Sequence, residues 1–198
     1  IKFTVPGFTN ASTSQAFDNT TVGSSSSKTI SFGTHYGTAL KTSNCSIAGT
    51  NASEFTVTSI NESGVTVTFN PTSAGNKTAT LTITDAHSKK CTITLSAKTQ
   101  YTVTYSKGNY GTGNNVTDNK VYGTALTLKD KGSFSREHYT QMAWNTNADG
   151  KSGTSYTLKA SYTQEAALQL YPTWVPVEYS ITYHLNGGTN HTDNPATY

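Results

Sequence analysis

The chain has 198 residues, of which 33% are hydrophobic, 13% charged and 11% aromatic, and its 14 basic and 11 acidic side chains leave a net charge of +3. Thr makes up roughly a fifth of it while Arg136 is the single Arg and Met142 the single Met, so the residues that a helical bundle or an α/β nucleotide-binding fold draws on are scarce. Scattered Lys without an Arg cluster argue against a nucleic-acid partner, and no apolar run approaches the ~18 residues that span a bilayer, so no membrane contact is expected of this segment.

In chain order, the opening run Ile1–Val5 is strand-like and carries no export signal, which predicts a mature chain or a fragment whose signal lies elsewhere. Period-2 alternation of aliphatic and hydroxyl residues then predicts strands at Val65–Phe69, Ala79–Ile83 and Cys91–Leu95. Thr suits the outer face of such strands because it is β-branched yet polar. Breakers at Gly49–Asn51, Asn70–Asn76 and Asp85–Lys89 separate them, a spacing that argues for a β-sandwich. Near residue 100 the aromatic usage changes. Six of seven Phe precede that point, whereas eleven of twelve Tyr and both Trp come after it, so a boundary is placed in the polar stretch Ala97–Gln100. Beyond it, Tyr101-Thr-Val-Thr-Tyr105 recurs as Tyr179-Ser-Ile-Thr-Tyr183 at an offset of 78 residues, which marks internal repetition. The divisions expected are 1–99, 100–176 and 177–198.

These residues carry two resemblances. The run Thr21–Ile30, the segment Ile47–Phe55 and above all Phe69-Asn-Pro-Thr-Ser-Ala-Gly75 resemble bacterial immunoglobulin-like domains of the choice-of-anchor and major-sperm-protein-like type. That resemblance implies a seven-strand sandwich acting as a spacer or interaction module. Val121–Leu126, Tyr139–Thr146, Gly150–Tyr156 and Leu168-Gln-Leu-Tyr-Pro-Thr-Trp174 resemble the InlB B-repeat, or Listeria–Bacteroides repeat. His138, Gln141, Ala143 and Pro172 depart from its usual pattern. The repeat implies a small β-grasp-like unit, arranged in tandem on bacterial surface proteins, with Tyr101, Trp144, Tyr171 and Trp174 in its core. The fold class expected is therefore mainly all-β, an N-terminal immunoglobulin-like sandwich followed by a β-grasp-like repeat. A second repeat that stops at Tyr198 cannot bury a core of its own. Val177–Tyr198 should dock on the preceding edge or pair with another chain.

Few residues suggest chemistry. Parity turns Cys45 and Cys91 inward, which leaves open a disulfide closing a loop of roughly 46 residues, worth up to about 4 kcal/mol, or two separate buried thiols. Asn145-Thr-Asn-Ala-Asp-Gly150 has the spacing of an oxygen-ligand calcium loop, but Tyr156 stands where a closing carboxylate would be needed, so a β-turn is the ordinary reading. His35, His87, His138, His184 and His191 have no zinc-site spacing, and Gly108–Gly113 reads as a hairpin loop because no helix follows it. No metal or other cofactor is expected. Tyr105 and Tyr110 are the residues expected to bind at the surface, since aromatic faces stack on sugar rings. The function these features imply is a non-enzymatic, extracellular segment of a bacterial cell-surface protein. It would serve as an adhesin-type spacer and interaction module for a host or matrix protein or a surface glycan. The alternative is a carbohydrate-binding module of a glycan-processing protein. A hydrolase would need converging acids, and the eleven carboxylates are scattered.

Overall fold

The computed structural model describes residues 8–9, 11–33 and 39–198. The opening run Ile1–Val5 and His35 lie outside the described residues. The protein is nearly all β. Its strands are β1 (Ser14–Ala16), β2 (Thr20–Thr21), β3 (Ser26–Ser31), β4 (Cys45–Ala48), β5 (Phe55–Ile60), β6 (Gly64–Phe69), β7 (Asn76–Thr84), β8 (Lys90–Tyr105), β9 (Val116–Val121), β10 (Leu126–Thr127), β11 (Tyr139–Asn145), β12 (Ser155–Thr157), β13 (Ser161–Tyr162) and β14 (Leu168–Pro176). They belong to two compact units. The first holds the described residues up to Thr102 together with Asn119–Leu126 and Thr163–Ala167, and the second holds Val103–Asp118, Thr127–Tyr162 and Leu168–Tyr198.

In the first unit β6 lies between β3 and β5, all antiparallel, with Val65 opposite Ile30 and Phe69 opposite Phe55. A second sheet sets β7 between β4 and β8, and the short strands β1 and β2 pair in parallel with β8. The alternation read from the sequence is realised side chain by side chain. Ala79, Leu81 and Ile83 on β7 and Cys91, Ile93, Leu95 and Ala97 on β8 are buried, while the intervening Thr face outward or lie half-buried. These residues and Ile30, Val65, Val67 and Phe69 of the other sheet make one core. Phe55 stacks on Phe69 at 4.9 Å and meets Phe17 edge-on at 5.4 Å, contacts worth about 0.5–1.5 kcal/mol each beyond burial.

The stretch Ala97–Gln100, expected to be a seam, lies inside β8. Alternation simply continues through it. Ala97 and Thr99 are buried, and the Thr99 hydroxyl accepts the Gly75 N–H at 2.8 Å. The chain also re-enters the first unit twice later on, so no single cut separates the two.

In the second unit β11 runs antiparallel between β12 and β14, and β14 lies parallel to the Val103–Tyr105 end of β8. Val103, Tyr105, Leu128, Phe134, Trp144, Tyr162 and Leu170 are buried there. A bulge between Gln141 and Ala143 leaves Met142 without a partner and 57% exposed. One extra residue reverses the parity of the rest of β11, which is how Gln141 and Trp144, three positions apart, are both buried.

After β14 the Val177 N–H donates to the His138 carbonyl at 2.9 Å. The chain then folds on itself: Tyr179 and Tyr198 exchange backbone hydrogen bonds at 3.1 and 3.0 Å, and their rings stack at 5.5 Å. The expected copy of the Tyr101–Tyr105 strand does not form a strand at Tyr179–Tyr183. Only an isolated bridge joins Ser180 to Thr197. Val103–Tyr105 pairs with Leu168–Leu170 and β9 also pairs with β8, whereas the segment facing Tyr179–Tyr183 includes Pro195, which has no N–H to donate.

Candidate functional site

In the second unit several aromatic side chains gather around Arg136. Its guanidinium lies 3.5 Å from the centre of the Tyr139 ring and 4.8 Å from that of Tyr110. Tyr139 opens β11, Tyr110 sits on the loop after β8, and Trp174 comes from β14, directly across from Gln141. Tyr110 is 54% exposed, whereas Arg136, Tyr139 and Trp174 are half-buried. Two hollows meet at this cluster. One, of about 380 Å³, is lined by Tyr110, Arg136, Tyr139, Asp149, Lys151 and Trp174 among others. The other, of about 320 Å³, shares Arg136, Tyr139 and Trp174 and adds Lys131, Phe134 and Gln141.

The backbone that presents these groups is tightly set. A Cβ on Gly111 would come within 2.6 Å of the Lys107 carbonyl and 3.2 Å of the Trp174 ring, so only glycine lets the Tyr110 loop close against that indole. The Asn109 N–H anchors the same loop on the Ala148 carbonyl at 2.9 Å. On the far side, Asp149 Oδ1 accepts the N–H groups of Lys151 and Ser152 at 2.7 and 3.0 Å, and Oδ2 is bonded by the Ser152 hydroxyl. The Ser152 hydroxyl and backbone, with Lys151, hold the Asp149 carboxyl below its usual range, so it is an anion at neutral pH. Asn145 Oδ1 accepts from Asn147 and Gly153 at 2.8 and 3.1 Å. The oxygens with calcium-loop spacing are thus spent on their own backbone as a turn, and among the described residues no three of His, Cys, Asp and Glu gather as a metal site.

Each aromatic singled out by the sequence has a definite place. Trp144 is fully buried and donates its indole N–H to the Lys129 carbonyl at 2.7 Å. Tyr105, expected at the surface, is instead fully buried against Trp144 at 4.8 Å, with its hydroxyl accepting the Lys129 N–H at 3.2 Å. Burial pushes its phenol up to about 12. Its inward setting comes from β8 parity, since it shares a face with the buried Val103. Tyr110 is exposed. Tyr101 is half-buried in the first unit, where burial and then the Glu165 carboxylate raise its phenol. Tyr171 is half-buried because it lies on the face of β14 opposite Leu170 and Pro172, and Trp174, which shares their face, is half-buried towards the exposed end of the strand at Val175 and Pro176. The chain's one Arg stands out in the sequence only for its rarity and not as a site residue. Its flanking by Tyr110 and Tyr139 is a feature of folding, with 25 residues between the first ring and the guanidinium's own position in the chain.

The cysteines are both free. Ile83 on β7 stands opposite Cys45 on one side and Cys91 on the other. Two strand spacings of about 4.8 Å separate the thiols' backbones, beyond the ~7 Å that a disulfide can bridge. Burial raises both thiols, Cys45 to about 11, so neither is a ready nucleophile at neutral pH. His87, His138, His184 and His191 are exposed, and His138 Nδ1 lies 3.1 Å from the Tyr179 hydroxyl.

Two polar groups deep in the first unit are structural. Glu54 and Lys77, 4% and 3% exposed, form an ion pair at 2.9 Å. The same carboxylate oxygen accepts from the Thr72 N–H and hydroxyl at 2.9 and 2.8 Å. Glu54 therefore holds the turn of Phe69–Gly75, the segment that carries the immunoglobulin-like resemblance. Lys120, fully buried, reaches Glu165 at 2.9 Å.

Fold and surface together define an all-β chain with an aromatic, arginine-centred face on its second unit. No protein-family model matches the sequence, and comparison with curated proteins finds no match.

Proposed function

We propose that this chain is a non-enzymatic segment of a bacterial extracellular surface protein, an immunoglobulin-like sandwich followed by a Listeria–Bacteroides-type repeat, working as a spacer and an adhesive contact. One observation supports the adhesive part above the rest: the second unit keeps Trp144 and Tyr105 for its core yet leaves Tyr110 exposed and Tyr139 and Trp174 half-buried around Arg136. Large rings and Arg are the residue types enriched where proteins meet partners, because they bring much contact area at little loss of side-chain freedom. The ionisable groups buried in the first unit hold turns and strands together, as Glu54 does for Thr72 and Lys77. Thr-covered strands suit a role at the cell exterior, presenting a hydroxyl-rich surface of low charge.

The test is exposure on living cells. An antibody raised against the purified chain should label intact cells of the source bacterium, and external protease should remove the label. Labelling that appears only after lysis would sink the proposal.

A further inference from the structure

We infer that the double hollow around Trp174 is a binding site for an acidic glycan, taking two neighbouring sugar rings of which at least one bears a carboxylate. The inference rests on the reading of this chain as a surface contact module and names the ligand class of that contact.

Charge comes first. Arg136, Lys131 and Lys151 line the two hollows against the single carboxylate of Asp149. Arg136 has no ion-pair partner among the described residues, unlike Lys77, Lys120, Lys129 and Lys159, while Lys131 and Lys151 have Asp130 and Asp149 as electrostatic neighbours. An excess of positive charge favours an anionic ligand.

The Arg136 guanidinium is also already oriented. Lying over Tyr139 at 3.5 Å and near Tyr110 at 4.8 Å, it is held as a plane, and among the described residues its N–H groups donate to no protein acceptor. A fixed guanidinium fork matches the two oxygens of a carboxylate, and pre-positioning reduces the side-chain freedom lost on binding.

Geometry then distinguishes a sugar from other anions. A pyranose offers a C–H face to an aromatic ring and hydroxyls at its rim. Trp174 and Tyr139 form the wall common to both hollows, and Asp149 accepts two loop hydrogen bonds at Oδ1 and one at Oδ2, which leaves one lone pair on Oδ2 for a rim hydroxyl. The phosphate oxygens of a phosphodiester chain only accept and so find no partner in Asp149, whereas a sugar hydroxyl can donate to it, which favours a sugar over a nucleic acid backbone. Volumes of about 380 and 320 Å³ are at the small end for ligand pockets, a match to one ring each side of Trp174.

The experiment titrates the whole chain with tetragalacturonate, using the neutral galactose tetramer and an oligothymidylate of equal length as comparisons, at low salt by calorimetry. Saturable binding of tetragalacturonate is expected, at least tenfold tighter than either comparison, with Trp174 shielded from iodide quenching. Arg136→Gln and Trp174→Ala should each weaken it by about tenfold or more, the usual range for losing a charge-assisted or stacking contact, and Arg136→Lys should recover only part. Urea midpoints verify that the variants are folded. Should Trp174→Ala fail to fold, Arg136→Gln and the iodide measurement on the unaltered chain still decide the matter. No saturation at millimolar sugar, equal affinity for the neutral tetramer, tighter binding of the oligothymidylate, or indifference to Arg136→Gln would each overturn the inference. Those outcomes would leave surface exposure untouched, whereas a chain found only inside cells would defeat the reading beneath it whatever the titration shows.

Discussion

At the scale of single residues, the ion pair of Glu54 and Lys77 makes the sharpest demand. Burial alone would raise the Glu54 carboxyl, but hydrogen bonds from Lys77 and Thr72 outweigh it and hold it below the ordinary glutamate value. A depressed folded-state value means the contribution is complete above the unfolded pKa, about 4.3, and disappears as pH falls through the folded one. Urea unfolding between pH 7 and pH 3 should therefore lose stability below about pH 4.3, and Glu54→Gln should flatten that part of the profile. Lys77→Met strands the carboxylate and should lower stability by about 3–5 kcal/mol, the range for breaking a buried pair. The two Trp divide in the same assay. Trp144→Ala should cost about 3–5 kcal/mol, whereas Trp174→Ala should change stability by less than about 1.5 kcal/mol, because only the first fills a closed core. Equal losses at the two positions would contradict the assignment of Trp174 to the surface. Tyr105 shows where reading by residue type goes astray: its pentapeptide looks symmetrical, and the aliphatic Val103 on the same face was the clue to which side turns inward.

Among the elements, β6, β7 and β8 are legible in the sequence because one face is aliphatic and the other Thr, a contrast that survives any packing. Their limits are not, since hydrogen bonding carries β8 past the apolar run to Tyr105. Two features depend on partners distant in the chain and leave no local trace. One is the separation of Cys45 from Cys91 by β7, which strand order alone decides. The other is the bulge at Met142. Deleting Met142 should close the bulge and keep Trp144 inward opposite Pro172, leaving the near-ultraviolet circular dichroism of the second unit intact, whereas deleting Met142 and Ala143 together should turn Trp144 outward and abolish that signal. An unaltered spectrum in the two-residue deletion would refute the link between register and burial. The Tyr179–Tyr183 copy carries the opposite lesson: the same alternating pattern that makes a strand beside Leu168–Leu170 makes only one bridge without such a neighbour.

Considered as a whole molecule, the change from Phe to Tyr and Trp reports two cores: Phe17, Phe55 and Phe69 in the first unit, and Tyr105, Trp144 and Tyr162 in the second. Composition could reveal that there are two but not how the chain is shared between them, because Asn119–Leu126 and Thr163–Ala167 return to the first unit, as where the Tyr122 N–H donates to the Thr99 carbonyl. The candidate surface was legible only in part. Tyr110 and the aromatic richness were visible, but the union of Arg136, Tyr139 and Trp174 depends on β11 and β14 being neighbours. Adherence reads out the proposed role of this face. Beads coated with the whole chain should hold to an extracellular-matrix layer, and beads coated with the folded Arg136→Gln, Trp174→Ala double variant should fall to the level of bare beads. Equal retention of the two coatings would contradict it.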